Sequence, residues 1–253
     1  MTQEGKRDFV KYSFFKVAPE WRRLPAEERD RSKAEFAGVV EEFADRMSLA
    51  SYSLVGTRGD ADFLLWKVRP TLEAITELQA QLNRSSLGRY LSMPHSYLAM
   101  TRRSPYVAHH QHPGQEGANS LGLAGMPPAQ GTASTLGLTA STTMRQLGRQ
   151  FLFIYPFVKT HDWYQLPQED RQRMMNQHFA IGHKYPDVKI STAYSFGLDD
   201  QEFVLGFETD DAGSFLDLVM DLRESEARPY TLRDTPIFTC RHKPLRECLE
   251  ELG

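Results

Sequence analysis

The sequence predicts an α+β fold made of two duplicated ferredoxin-like βαββαβ units that together form a dimeric α+β barrel. Three observations lead there. A Trp-x-x-Leu-Pro signature occurs twice, as Trp21–Pro25 and again 142 residues on as Trp163–Pro167. The same order of strand and helix signals follows each copy. A long stretch of loop composition separates them, and two copies are too few for a solenoid.

Phe9 to Lys16 is rich in aromatic residues and reads as the first strand. Leu24-Pro25 followed by Glu27 and Glu28 is a helix start, with acids at the positive end of the dipole. Phe36, Val39, Val40 and Phe43 then recur at helical spacing. Ser51 to Gly56 and Ala61 to Val68 flank the turn-prone Thr57-Arg58-Gly59-Asp60 and predict a hairpin. Pro70 to Leu82 is a second helix and His95 to Thr101 a last strand, which completes βαββαβ. The second copy repeats that order over Phe151 to Val158, Gln168 to His183, Val188 to Phe196, Glu202 to Glu208, Ala212 to Leu222 and Pro236 to Arg241. Phe63 matches Phe203 at an offset of 140, so the drift from 142 amounts to two residues lost in a loop. Lys243 to Gly253 suggests a short closing helix. The expected organisation is a first unit over 1–103, a linker over 104–148 with Pro113-Gly114, Met126-Pro127-Pro128 and a Ser/Thr/Gly-rich run, and a second unit over 149–253. Two such sheets can pair into a barrel with helices outside, and a cavity inside one sheet is the expected ligand site.

Bulk properties narrow the function classes. The chain has 253 residues, 40% hydrophobic and 25% charged, with a net charge of −3 and pI near 6.3. Nothing in that balance points to nucleic acid or an anionic membrane surface. No apolar run approaches the roughly 20 residues of a membrane span, and the N-terminus has no signal-peptide core. Cys240 and Cys248 form no CxxC pair and are expected to be free thiols, which suits a cytoplasmic setting. There is no GxSxG elbow, P-loop, GxGxxG after a strand, or HExxH.

The residues left to carry chemistry are few. His178 shares a face of its helix with Arg171, Met174 and Ile181. Such a histidine is more often structural than a ligand. Alone it closes no metal site, but it can ligate a haem iron whose other ligands come from the porphyrin. His183 is rotated off that face. Tyr155 lies in the strand Phe151–Val158 and either points into a cavity or packs in the core; Lys159 falls on its side of the strand, nearer the rim, where a cation suits a carboxylate-bearing ligand. His109, His110 and His112 read as a solvated loop, and Asp199-Asp200 after Gly197 as turn chemistry.

Several linked segments resemble the chlorite dismutase superfamily, and within it the coproheme decarboxylases of actinobacterial type. They are Tyr155-Pro156-Phe157-Val158-Lys159, His161 to Pro167, Met174-Met175 to His178, Tyr194 to Phe203, Leu222 to Ala227 and Tyr230 to Pro236. The resemblance covers most of 150–240 and, more loosely, the first copy. It implies a homopentamer with porphyrin in the second half, His178 as axial ligand of a haem iron, and Glu226 hydrogen-bonded to that histidine. It further implies that Tyr155 is the radical-forming residue beside a reacting propionate, that Lys159 lies near the propionates and that Trp163 lies beside the porphyrin. The implied activity is peroxide-dependent oxidative decarboxylation of iron coproporphyrin III to haem b, with hydrogen peroxide as co-substrate. A non-catalytic haem carrier or sensor, and a weak haem peroxidase, are the alternatives. Ile190 stands where chlorite dismutases carry a distal arginine and other decarboxylases a glutamine, so efficient chlorite breakdown is not expected. No histidine lies between Gly114 and Tyr155, where actinobacterial decarboxylases place a distal one, and Phe179 and His183 replace a common Gly and Arg.

Overall fold

The computed structural model describes residues 7–106, 144 and 146–253. Most of the expected linker, including His109, His110 and His112, therefore lies outside the described residues.

The first unit runs β1 (Phe9–Val17), a one-turn α1 (Pro19–Arg22), α2 (Ala26–Glu41), β2 (Ser48–Ser53), β3 (Phe63–Arg69), α3 (Leu72–Arg84) and β4 (Leu91–Met100). The second repeats it as β5 (Phe151–Lys159), α4 (His161–Gln165), α5 (Gln168–Gly182), β6 (Lys189–Tyr194), β7 (Phe203–Thr209), α6 (Ala212–Arg223) and β9 (Phe238–His242). The short β8 (Thr231–Arg233) precedes β9, and α7 (Leu245–Glu250) closes the chain as the tail composition predicts. The α+β class and the duplicated order are both present. Pro25 and Pro167 hold the same φ of −52° at the start of α2 and α5, so one local solution starts both helices. β4 begins at Leu91, four residues before the expected His95; its Pro94 is accommodated where the register with β1 shifts.

Strand order is β4-β1-β3-β2 in the first unit and β9-β5-β7-β6 in the second, the same order twice. All pairs are antiparallel. The units meet at two narrow seams. At one, β2 pairs β9 through Tyr52↔His242 and Ser53↔Arg241. At the other, β4 pairs β6 through Met100↔Tyr194. Followed from neighbour to neighbour, the eight long strands return to their starting point.

Alternation along the strands sends one side chain inward and the next outward. The inward set is a packed core of large rings, not a cavity. Tyr12 stacks on Trp66 at 5.3 Å, Phe14 meets Phe238 at 4.1 Å, and Tyr52, Leu64 and Ile154 fill the rest. The expectation of a cavity inside the sheet is thus corrected, because side chains of this size leave no room for a ligand. Both cysteines are free and buried, and no helix among the described residues is long and apolar enough to cross a membrane.

Candidate functional site

The outward faces differ between the two halves, and that difference points to a candidate site. In the first half α2 buries Ser32, Lys33, Phe36, Ala37 and Val40. In the second half α5, its counterpart, buries only Met174. The 142-residue offset puts His178 where Phe36 stands. Phe36 is fully buried and packs edge-on against Phe15 at 6.2 Å and Phe63 at 5.9 Å. The equivalents of those two rings, Phe157 and Phe203, meet edge-on at 6.2 Å where Phe15 and Phe63 stack at 4.9 Å, and among the described residues the ring neighbour of His178 is Phe179. What is core under α2 is thus a half-buried apolar slot under α5, floored by Phe157, Ile190 and Leu205 on β5, β6 and β7. Apolar side chains left half-covered together are candidates for a binding surface.

His178 faces this slot from the helix side. Burial of its ring, followed by the charge of Lys159, lowers its pKa to about 4. The residue as a whole is half-buried, and desolvation of an imidazole disfavours its charged form. The imidazole is neutral at physiological pH, the state that donates a lone pair to a metal. Among the described residues no group of three His, Cys, Asp or Glu could hold a bare ion, and a single imidazole suits an iron whose other ligands a porphyrin supplies. One neutral imidazole opposite an apolar floor therefore fits an iron porphyrin.

Tyr155, Phe157 and Lys159 share the outward side of β5, so strand periodicity alone sets Tyr155 and Lys159 on one wall. Tyr155 is 8% exposed and stacks on Phe207 at 5.7 Å. Burial, then the carboxylate of Asp234, pushes its phenol well above the usual range, against the pull of Arg223 and Arg228. The phenol keeps its proton throughout the physiological range. The Lys159 ammonium lies 4.1 Å from the Trp163 ring centre and donates to the Ala227 carbonyl at 3.4 Å. Burial brings its pKa down to about 8, with Glu202 opposing and Arg228 adding to the fall. Trp163 is buried against Tyr230 and Tyr106. Since Trp21 is buried in the same place in the half without the slot, packing explains much of the repeat.

Glu226 is placed differently from expectation. Its carboxylate pairs with the Arg173 guanidinium, and its backbone N–H donates to the Gln177 side-chain oxygen at 3.0 Å. It clasps α5 next to His178, but no hydrogen bond joins it to the imidazole among the described residues. The physical reason is competition: a guanidinium one turn away offers a charged partner, whereas the neutral imidazole offers a weaker one.

Further groups at the rim were not anticipated. Arg223 and Arg228 converge on Asp234 at 2.5 and 2.7 Å, close enough to Tyr155 to act on its phenol. Glu202 accepts from the Lys159 backbone N–H at 2.8 Å and from the Tyr164 hydroxyl at 2.7 Å, tying the end of β5 to α4. The five-residue recurrence of Arg223, Arg228 and Arg233 was the available signal for the first pair. Asp199 sits in the turn after Gly197 at φ 71° and accepts from the Asp200 N–H at 2.9 Å, and it also accepts from the Leu98 N–H on β4 at 2.6 Å, a long-range contact that the turn reading did not include.

Comparison with known proteins shows the family and the fold. The profile of the family described as Chlorite dismutase matches residues 29–243. The coproheme decarboxylase of Mycolicibacterium smegmatis is 29% identical over 234 residues, covering 91% of this chain and 88% of that protein. A solved variant of the chlorite dismutase of Candidatus Nitrospira defluvii superposes with a TM-score of 0.80 at 25% identity, covering 99% and 96% of the two chains. A haem-binding protein from Thermus thermophilus shares the fold, with a TM-score of 0.78 at 24% identity over 98% of this chain and 95% of that one.

Proposed function

The chain belongs to the chlorite dismutase family, and from that premise we propose that it binds iron coproporphyrin III between α5 and the sheet and decarboxylates it to haem b with hydrogen peroxide. The observation that carries this reading is the exchange of Phe36 for His178 at equivalent positions, with the core opened beneath it. His178 is the axial ligand, Tyr155 the reacting residue and Lys159 the propionate partner. Trp163 braces Lys159, and Glu226 steadies α5 through Arg173. When bound, the iron porphyrin supplies the redox centre that reacts with peroxide and is itself the substrate.

Each round takes one propionate carboxylate, one peroxide and one proton to a vinyl group, carbon dioxide and two waters. Tyr155 gives up its proton and an electron together, since its phenol is held neutral by burial. Its oxygen would then take a hydrogen atom from the propionate β-carbon. As the carboxylate leaves as carbon dioxide, the vinyl bond closes and one more electron is released. This electron and the one given by Tyr155 are the two that peroxide accepts through the bound porphyrin, and two rounds complete haem b. Lys159, with Arg223 and Arg228 beside it, orients the carboxylates at the mouth of the slot. Phe157, Ile190 and Leu205 exclude water from the face opposite His178. With Ile190 at the position where the resemblance puts an arginine or a glutamine, efficient chlorite breakdown is outside this reading. On α6, exposed Leu216 and Met220 stand four residues apart and supply an apolar stripe for the proposed homopentamer.

The test is a titration of the purified protein with iron coproporphyrin III, then addition of peroxide and chromatography of the pigments. A Soret shift followed by stepwise appearance of haem b is expected. A shift without product would replace the enzyme by a carrier or sensor, and no shift would remove the porphyrin altogether. Binding should also depend on pH through Lys159. Its pKa of about 8 means the cation is present below that value and lost above it, so affinity for the tetracarboxylate should fall as pH rises from 7 to 9. Lys159→Met should flatten that dependence and weaken binding at pH 7 by roughly tenfold, the scale of one charge-assisted hydrogen bond. An unchanged pH profile in the variant would exclude Lys159 as the propionate partner.

A further inference from the structure

The outer sheet face of the first half holds a pair of amines that the proposed reaction does not use. Lys11 on β1 and Lys67 on β3 are direct cross-strand partners. Trp66 and Val68 point into the barrel, so Lys67 points outward, on the side covered by α2 and α3. Lys67 is 0% exposed, and its ammonium nitrogen has a hydrogen bond to the Ser13 hydroxyl oxygen at 3.0 Å. Lys11 donates to the Ser96 hydroxyl at 2.5 Å. Among the described residues neither lysine has a carboxylate in ion-pair contact. Asp199 acts on Lys11 only from a distance, and its own oxygens are taken by the Leu98 and Asp200 N–H groups.

The internal repeat shows how unusual this is. The offsets of 142 and 140 put Phe153 and Phe207 where Lys11 and Lys67 stand, and Tyr155 where Ser13 stands. Phe153 stacks on Phe215 at 3.9 Å in a dry wall. The first half thus sets two amines and a hydroxyl where its twin sets three rings. An enclosed ammonium beside a second cation is costly, and the amine responds by losing its proton. Burial and then the charge of Lys11 bring the Lys67 pKa down to about 7, so a large part of it is nucleophilic amine at neutral pH.

We propose that Lys67 is a carbon dioxide acceptor, its nitrogen carrying a carbamate that pairs with the Lys11 ammonium and the Ser13 and Ser96 hydroxyls. The nitrogen lone pair forms a bond to the carbon of carbon dioxide, one carbon–oxygen π pair moves onto oxygen, and the nitrogen releases one proton to solvent. No electron is transferred to or from another group. The product is an anion facing a cation, which removes the uncompensated charge. Carbon dioxide is small, linear and uncharged, and it enters an enclosed site that a hydrated anion cannot. Enclosure also slows the reverse reaction, which needs a proton delivered to the carbamate nitrogen. This modification is independent of the decarboxylation reading, because dissolved carbon dioxide suffices.

The experiment equilibrates the porphyrin-free protein with isotopically labelled bicarbonate at mildly alkaline pH and records its carbon NMR spectrum. Carbamates are then trapped by alkylation with triethyloxonium, and the peptides are read by mass spectrometry. A carbamate resonance and a trapped adduct on the peptide containing Lys67 are expected. Lys67→Met should remove both, and Lys11→Met should lower occupancy by roughly tenfold, the effect of one lost pairing of about 1.4 kcal/mol. An adduct confined to other lysines or to the N-terminus would overturn the proposal, as would a resonance that persists in Lys67→Met. The assignment is made on the wild-type peptide, so it stands whether or not the variants fold. Failure here leaves the Soret titration untouched, and failure of that titration leaves this site untouched.

Discussion

His178→Phe should abolish axial ligation while leaving the ligand-free protein at least as stable as the wild type. The substitution restores in the second half the arrangement seen in the first, where Phe36 fills the space between Phe15 and Phe63. The receiving rings, Phe157 and Phe203, are the equivalents of Phe15 and Phe63, set edge-on at 6.2 Å where the first-half pair stacks at 4.9 Å. A phenyl ring entering an apolar slot gains roughly 1.5–3 kcal/mol of burial when enclosed. Loss of the iron bond should weaken binding of iron coproporphyrin III by at least about 100-fold, near 3 kcal/mol. The two quantities are read by Soret titration and by thermal melting of the ligand-free protein. An unchanged Soret spectrum would show that iron is held elsewhere. A markedly lower melting temperature would show that the slot under α5 is not equivalent to the filled one under α2.

Tyr155→Phe should separate binding from chemistry. The ring keeps its stack on Phe207, and only the buried hydroxyl is removed, so affinity for the porphyrin should stay within about twofold. Haem b formation should fall by at least about three orders of magnitude, roughly 4 kcal/mol of barrier, because phenylalanine has no O–H hydrogen to give up. The wild-type rate should show no increase with pH from ionisation of this residue, since its phenol is held far above the working range. Chromatography after a fixed dose of peroxide measures the effect. Undiminished product in the variant would take Tyr155 out of the reaction.

The duplication made much of this legible. Trp21 and Trp163, Leu24-Pro25 and Leu166-Pro167, and Phe63 and Phe203 repeat because one backbone solution recurs, and the structure uses them in matching places. The spacing that aligns the tryptophans also aligns Phe36 with His178, so the replacement of a core ring by a possible ligand was written in the sequence. The seams were not. Met100↔Tyr194 and Tyr52↔His242 join segments far apart in the chain, and a strand's pattern does not name its partner. Alternation also fails to say which face the helices cover, and for that reason a cavity inside one sheet was expected. Glu226 illustrates a third limit. Several charged groups lie within its reach, and only the fold decides that Arg173 is nearest. Asp234, which gathers Arg223 and Arg228 from eleven and six residues away, escaped the reading for the same reason.

The sparse packing of α5 has a consequence for how long the folded chain survives. A helix that buries one residue where its twin buries five sits at the low end of local stability, and its backbone amides open to solvent at smaller cost. A porphyrin held against that helix shifts the equilibrium toward the closed form by an amount set by its free concentration relative to its Kd. Proteolytic lifetime then becomes a measure of pigment supply. The first half packs α2 without a ligand, whereas α5 of the second half would gain its cover from one.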